Sequence, residues 1–139
     1  SQLNYFKKSI LNTIQRILAS GQTPVLYTSR NFLVLDNESK QIKFQKFLSS
    51  FIAKLVADIK FEIGYLISKG GITTNTILSE GFNIDSVYLE GQILAGISLI
   101  TVDLMKLKSK IPIVTFPGNI GEEDDLVKVW KLLENKIKV

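Results

Sequence analysis

Phe44, Phe47, Leu48, Phe51, Ile52, Leu55 and Ile59 recur at helical spacing between Lys40 and Lys60, which lays them along one side of a long helix. The period then changes. Residues 62–68, EIGYLIS, read as a buried strand; Gly70 and Gly71 follow; and TTNTILSEG, 73–81, reads as a short helix stopped by Gly81. Helix, strand, glycine pair and helix in unbroken order point to layered α/β architecture, in which helices cover a sheet.

The rest of the chain repeats this alternation. Phe6, Ile10, Ile14, Ile17 and Leu18 keep helical spacing up to Gly21. Residues 23–29, TPVLYTS, read as a strand opened by Pro24, and 31–39 as a loop with room for a brief strand. Residues 86–94, 96–103 and 111–116 read as further strands, and 122–138 as a helix with Leu126, Val129, Trp130, Leu133 and Ile137 on one face. Trp130 on that stripe, and Tyr27 and Tyr65 within strand runs, are assigned to the core. The expected fold is a mixed, largely parallel sheet with helices on both faces, Rossmann-like in its layering, with some antiparallel pairing near Gly91 and Gly96. No linker rich in Pro, Gly or Ser divides the chain, so residues 1–139 are expected to form one domain.

Composition limits the chemistry. Cys is absent, which excludes disulfides and thiolate metal sites, and His is absent, which removes the commonest general base and zinc ligand. No apolar run approaches the ~18 residues of a membrane helix. The start, SQLNYFKKSI, lacks both a secretory core and an initiator Met, so a processed or excised chain is expected, and the absence of Cys fits a cytoplasmic one. The net charge of +4 is spread over Lys7-Lys8, Lys40/Lys43/Lys46 and Lys106/Lys108/Lys110, and Arg stands only at 16 and 30. That pattern reads as a solvated basic surface rather than a nucleic-acid face.

In sheets of this kind ligands sit beyond the carboxyl ends of strands. Three segments fall there: Thr28-Ser29-Arg30, Gly70-Gly71-Ile72-Thr73 and Pro117-Gly118-Asn119-Ile120-Gly121. Glycines let successive N–H groups converge on an anion, and a helix N-terminus adds unpaired N–H groups. Ser29, Thr73 and Thr74 offer hydroxyls to the same ligand; Thr73 or Thr74 serves equally well as a helix cap, and both glycine loops also read as turns alone. Neither GxxxxGK[ST] nor GxGxxG occurs. Glu122-Glu123-Asp124-Asp125 fit a helix's first turn or a magnesium site, and unless they point away or hold a cation they repel a neighbouring phosphate. Asp103 and this cluster are the acids near the expected strand ends.

The ordered set YTS, LISKGGITTNTILSEGFNIDSVYLEGQILAGIS and IPIVTFPGNIGEEDDLVKVWKLLE resembles the C-terminal, nucleotide-binding domain of the four-carbon acid sugar kinases, from about Pro24 to Leu133. Gly70, Gly71, Thr73, Gly118, Asn119 and Gly121 match its motifs. Ile72 stands where that family usually has Glu, Gly96-Ile97-Ser98 replaces a Gly-Val-Pro type of segment, and Phe116-Pro117 replaces Lys-Ser. The resemblance implies ATP binding by Ser29, Gly70, Gly71, Ile72, Thr73, Gly118, Asn119 and Gly121, with Mg²⁺ carried on the phosphates and a larger N-terminal domain holding the sugar acid. It implies no catalytic residue in this chain, and homo-oligomerisation stays open. Two alternatives stand beside it: a non-catalytic nucleotide or anion sensor, and a basic α/β interaction module.

Overall fold

The computed structural model describes residues 1–29, 35–60, 62–104 and 110–137. Helix α1, Gln2–Ala19, starts under the Ser1 side chain, which accepts from the Asn4 N–H, and Gly21 turns the chain away at φ 75°. Helix α2, Glu38–Ile59, starts at Asn37, whose side chain accepts from the Lys40 N–H at 2.9 Å. The two helices meet where Phe6 stacks on Phe51, with ring centroids 6.1 Å apart, and where Lys7 pairs with Asp58 at 2.7 Å.

Four strands make the sheet: β1 Leu66–Lys69, β2 Tyr88–Leu94, β3 Ile97–Asp103 and β4 Lys110–Phe116, in spatial order β1-β4-β3-β2. Between β1 and β2 lie helix α3, Gly71–Thr76, and the π-helical turn Ile77–Gly81 that continues it; helix α4, Asp125–Ile137, closes the chain. Period-2 alternation sends β4 into two cores. Ile111 and Ile113 pack with Ala53 and Val56 of α2, Ile77, Phe82, Ile100 and Val102. Val114 and Phe116 pack with Ile97 and with Val129 and Leu133 of α4. Helices therefore cover both faces, as the alternation of stripes and runs predicts.

The sheet is not largely parallel. Only β1 and β4 pair in parallel; β3 pairs antiparallel with both β4 and β2. The reason is connection length: a two-residue turn joins β2 to β3, and a parallel neighbour needs a crossover of a dozen residues or more.

The expected strand at 23–29 is absent too, for this segment carries no regular structure. Val25, Leu26 and Tyr27 are exposed, Tyr27 at 83%, so Tyr27 is not a core residue. Strand propensity expresses fit to a pleated, half-buried surface, and these side chains have none beneath them. Residues 31–34, in the stretch read as a loop, lie outside the described residues, as do Arg30 of the first candidate segment, Lys106 and Lys108. Trp130 also leaves its expected place. It is 38% exposed, and its indole N–H donates to Thr23 Oγ1 at 3.0 Å. Tyr65 does pack against the second core, and its hydroxyl donates to Glu134 Oε1 at 2.7 Å. Burial pushes the Tyr65 phenol up; the Thr23 bond opposes this and the Glu134 carboxylate reinforces it.

Candidate functional site

Parallel pairing aligns the ends of β1 and β4, because Lys69 stands opposite Phe116. The two glycine segments thus leave the sheet side by side, and the Gly70 N–H donates to the Phe116 carbonyl at 2.9 Å, joining the base of one loop to the base of the other. Gly70 has φ 99° and Gly121 φ 115°, left-handed values that favour glycine. The β2–β3 hairpin turns at the same end of the sheet. A Cβ built on Gly96 would stand 3.2 Å from Ile120 Cγ2, so the hairpin turn and the second loop touch.

Helix α3 begins directly at the first loop. Gly70 is its N-cap, no side chain caps it, and its first turn closes with the Thr74 N–H on the Gly70 carbonyl at 3.0 Å. The N–H groups of Gly71, Ile72 and Thr73 precede that bond and point outward from the helix end. Thr74 is not the cap. It is buried, with Oγ1 donating to the Gly70 carbonyl at 2.9 Å and lying 2.7 Å from Ser68 Oγ, so it fastens the loop to β1. Ile72 is 68% exposed at the mouth of the loop.

Gly71 and Gly118 behave differently from Gly70 and Gly121. Neither has a left-handed φ, and no described atom lies within 4 Å of a Cβ built on either. Among the described residues, neither conformation nor packing calls for glycine at these two positions.

The acids before α4 settle among themselves. Asp125 Oδ2 accepts from the Glu122 N–H at 2.7 Å, and the Lys128 ammonium lies 2.9 Å from Asp124 and 3.1 Å from Asp125. The backbone N–H of Glu122, then the Lys128 bond, hold the Asp125 carboxyl below the usual carboxylate range, and the bonds to Asp124 and Asp125 hold Lys128 above its own. No group of three or more His, Cys, Asp or Glu among the described residues can hold a metal ion.

Of the expected site residues, Gly70, Gly71, Ile72, Thr73, Gly118, Asn119 and Gly121 come together at one end of the sheet. Ser29 belongs to the irregular segment instead of a strand end, and its neighbour Arg30 lies outside the described residues. Asp103 ends β3 opposite Lys110, the first residue of β4, and so sits at the far edge from the glycine loops. Two features escape sequence reading. The Gly96 turn joins the loop cluster only because β3 runs antiparallel to β4. Lys69, last residue of β1, places its ammonium 5.6 Å from the centroid of the Phe116 ring.

Helices on both faces of a mixed sheet, with paired glycine loops at the end of its parallel pair, define a layered α/β domain. Residues 3–126 match the family model of the nucleotide-binding C-terminal domain, and the chain belongs to that family. Among solved structures it is similar to a domain of unknown function (DUF1537) from Bordetella bronchiseptica, at 18% identity and a TM-score of 0.57, a likeness of fold. That protein's crystal structure is described with bound citrate, as a domain-swapped dimer. The match covers 86% of this chain and 30% of the other, so the chain spans under a third of that protein's length. None of the curated proteins matches. No described helix is long and apolar enough to cross a membrane.

Proposed function

We propose that the chain binds ATP across its two glycine loops and is the single nucleotide-binding domain, C-terminal in position, of a cytoplasmic kinase for four-carbon sugar acids. The observation that carries this reading is the Gly70 N–H bond to the Phe116 carbonyl, which brings the bases of both loops together at one edge. Membership of a nucleotide-binding family supports it. So do Gly71 and Gly118, whose bare backbone suits close approach by phosphate oxygens. Gly71, Ile72, Thr73, Gly118, Asn119 and Gly121 would hold the phosphates through backbone N–H groups, the Thr73 hydroxyl and the Asn119 side chain. Ser29, in the irregular segment before the sheet, would add its hydroxyl as a further contact. With Asp124 and Asp125 engaged by Lys128, Mg²⁺ would arrive on the nucleotide rather than on a protein cage.

Phosphoryl transfer needs the acceptor hydroxyl held in line with the γ-phosphate, and a larger N-terminal domain would supply that alignment. The bound citrate and the swapped dimer of the structurally similar protein suit a small hydroxy acid as substrate and self-association of the whole protein. A second reading, nucleotide sensing without transfer, draws on one observation: Asp103 lies at the opposite edge of the sheet, too far round to act as a base. ADP release with a panel of four-carbon acids separates the two. The chain alone is expected to bind ATP without turnover, and turnover is expected once the N-terminal domain is supplied. Binding without turnover in both cases supports the sensor. Acid-dependent turnover by the isolated chain contradicts the division of labour proposed here.

A further inference from the structure

Glu122, Glu123, Asp124 and Asp125 follow the second loop, and the ammonium that meets them, that of Lys128, is taken up by Asp124 and Asp125. A polyphosphate approaching this edge therefore meets an excess of negative charge, against which backbone N–H dipoles offer only partial charges. The loop segments 69–71, 95–96 and 117–121 contain one cation, Lys69. No described carboxylate pairs with it in an ion pair. Its register partner is Phe116, and its ammonium lies over that ring, 5.6 Å from the centroid. A ring beneath the ammonium attracts it and limits where the long side chain can swing, while leaving its N–H donors free for an anion. Lys69 directly precedes the first loop and Phe116 directly precedes the second, so the charge stands at the junction of the two.

We propose that Lys69 is the residue that recognises the phosphate chain: its ammonium, seated over Phe116, contacts the phosphates of a nucleotide laid across both glycine loops. This deepens the reading of the site given above and rests on it. Lys69 then sets the preference for nucleoside polyphosphates over nucleosides and contributes nothing to recognition of the base. Lys69→Met keeps an unbranched stem over the ring and removes the charge; Lys69→Arg keeps the charge.

Calorimetric titration of the 139-residue chain with ATP, ADP and adenosine tests this, with thermal unfolding of each variant as a check on folding. In Lys69→Met, affinity for ATP is expected to fall about tenfold, the equivalent of about 1.4 kcal/mol. Adenosine affinity stays unchanged, so the ratio of ATP to adenosine affinity falls by the same factor, and Lys69→Arg largely restores it. Unchanged ATP affinity in a folded Lys69→Met chain overturns the proposal and leaves the site standing. Equal losses for ATP and adenosine overturn it as well, since they mark a structural role. Failure of the unsubstituted chain to bind any of the three ligands overturns the site and this proposal together.

Discussion

Gly118→Val is expected to lower the affinity of the chain for ATP by one to two decades while its unfolding midpoint stays in place. Two observations separate the effects. No described atom lies within 4 Å of a Cβ at Gly118, and its φ is not left-handed, so the added side chain neither clashes within the domain nor strains the backbone. On the proposed reading, the same side chain would occupy space that a phosphate oxygen needs to reach the loop N–H groups. Loss of one hydrogen bond to a charged acceptor costs roughly 1.5–3 kcal/mol, which is about one to two decades in affinity. Gly121→Val is the contrasting case. With φ at 115° it strains the backbone by about 1–3 kcal/mol, so binding and stability fall together. Full ATP affinity in a folded Gly118→Val chain would reduce the second loop to a turn.

Phe116→Ala is expected to be the most damaging single change to the domain, at about 3–5 kcal/mol. The ring is 4% exposed and sits in the core formed with Ile97, Val114, Val129 and Leu133, at the end of β4 that meets both loops. It also walls the second loop, since its Cε1 lies 3.7 Å from a Cβ built on Gly121. Domains of this size have about 5–15 kcal/mol of stability in total, so the loss is a large fraction of the whole. Urea unfolding should show the midpoint lowered at unchanged slope, whereas Phe116→Leu, which keeps most of the volume, should cost under about 1.5 kcal/mol. A Phe116→Ala midpoint close to the parent's would mean that α4 does not depend on this strand end.

Sequence and structure agree best in the first half of the chain. The stripe from Phe44 to Ile59 and the run ending at Lys69 locate α2 and β1 because side-chain periodicity is a local property of the chain, although Phe44 and Phe47 at the start of the stripe stay exposed, and the Gly70-Gly71 boundary follows from backbone conformation. Sheet order is not local. Nothing between residues 62 and 116 states that β4 inserts beside β1, yet that one pairing brings Gly70 to Phe116 and makes two separate glycine segments into one edge. The same gap explains Lys69, which reads as an ordinary exposed lysine until Phe116 is placed opposite it. Residues 23–29 show the converse. Val25 and Tyr27 have strand-like composition, but no described strand receives them, and Ser29 ends no strand. Trp130 follows a helical stripe faithfully and still lies at the surface: α4 turns Val129 and Leu133 into the core, and the indole finds Thr23 instead.

Titration of ATP into the isotopically labelled chain, followed through its backbone amide resonances, tests the shared site most directly. Gly70, Gly71, Ile72 and Thr73 in one loop, and Gly118, Asn119 and Gly121 in the other, are predicted to shift together along one binding curve. Adenosine at the same concentrations should move them far less. Shifts confined to one loop, or centred on the α1–α2 surface, would contradict a nucleotide site built from both.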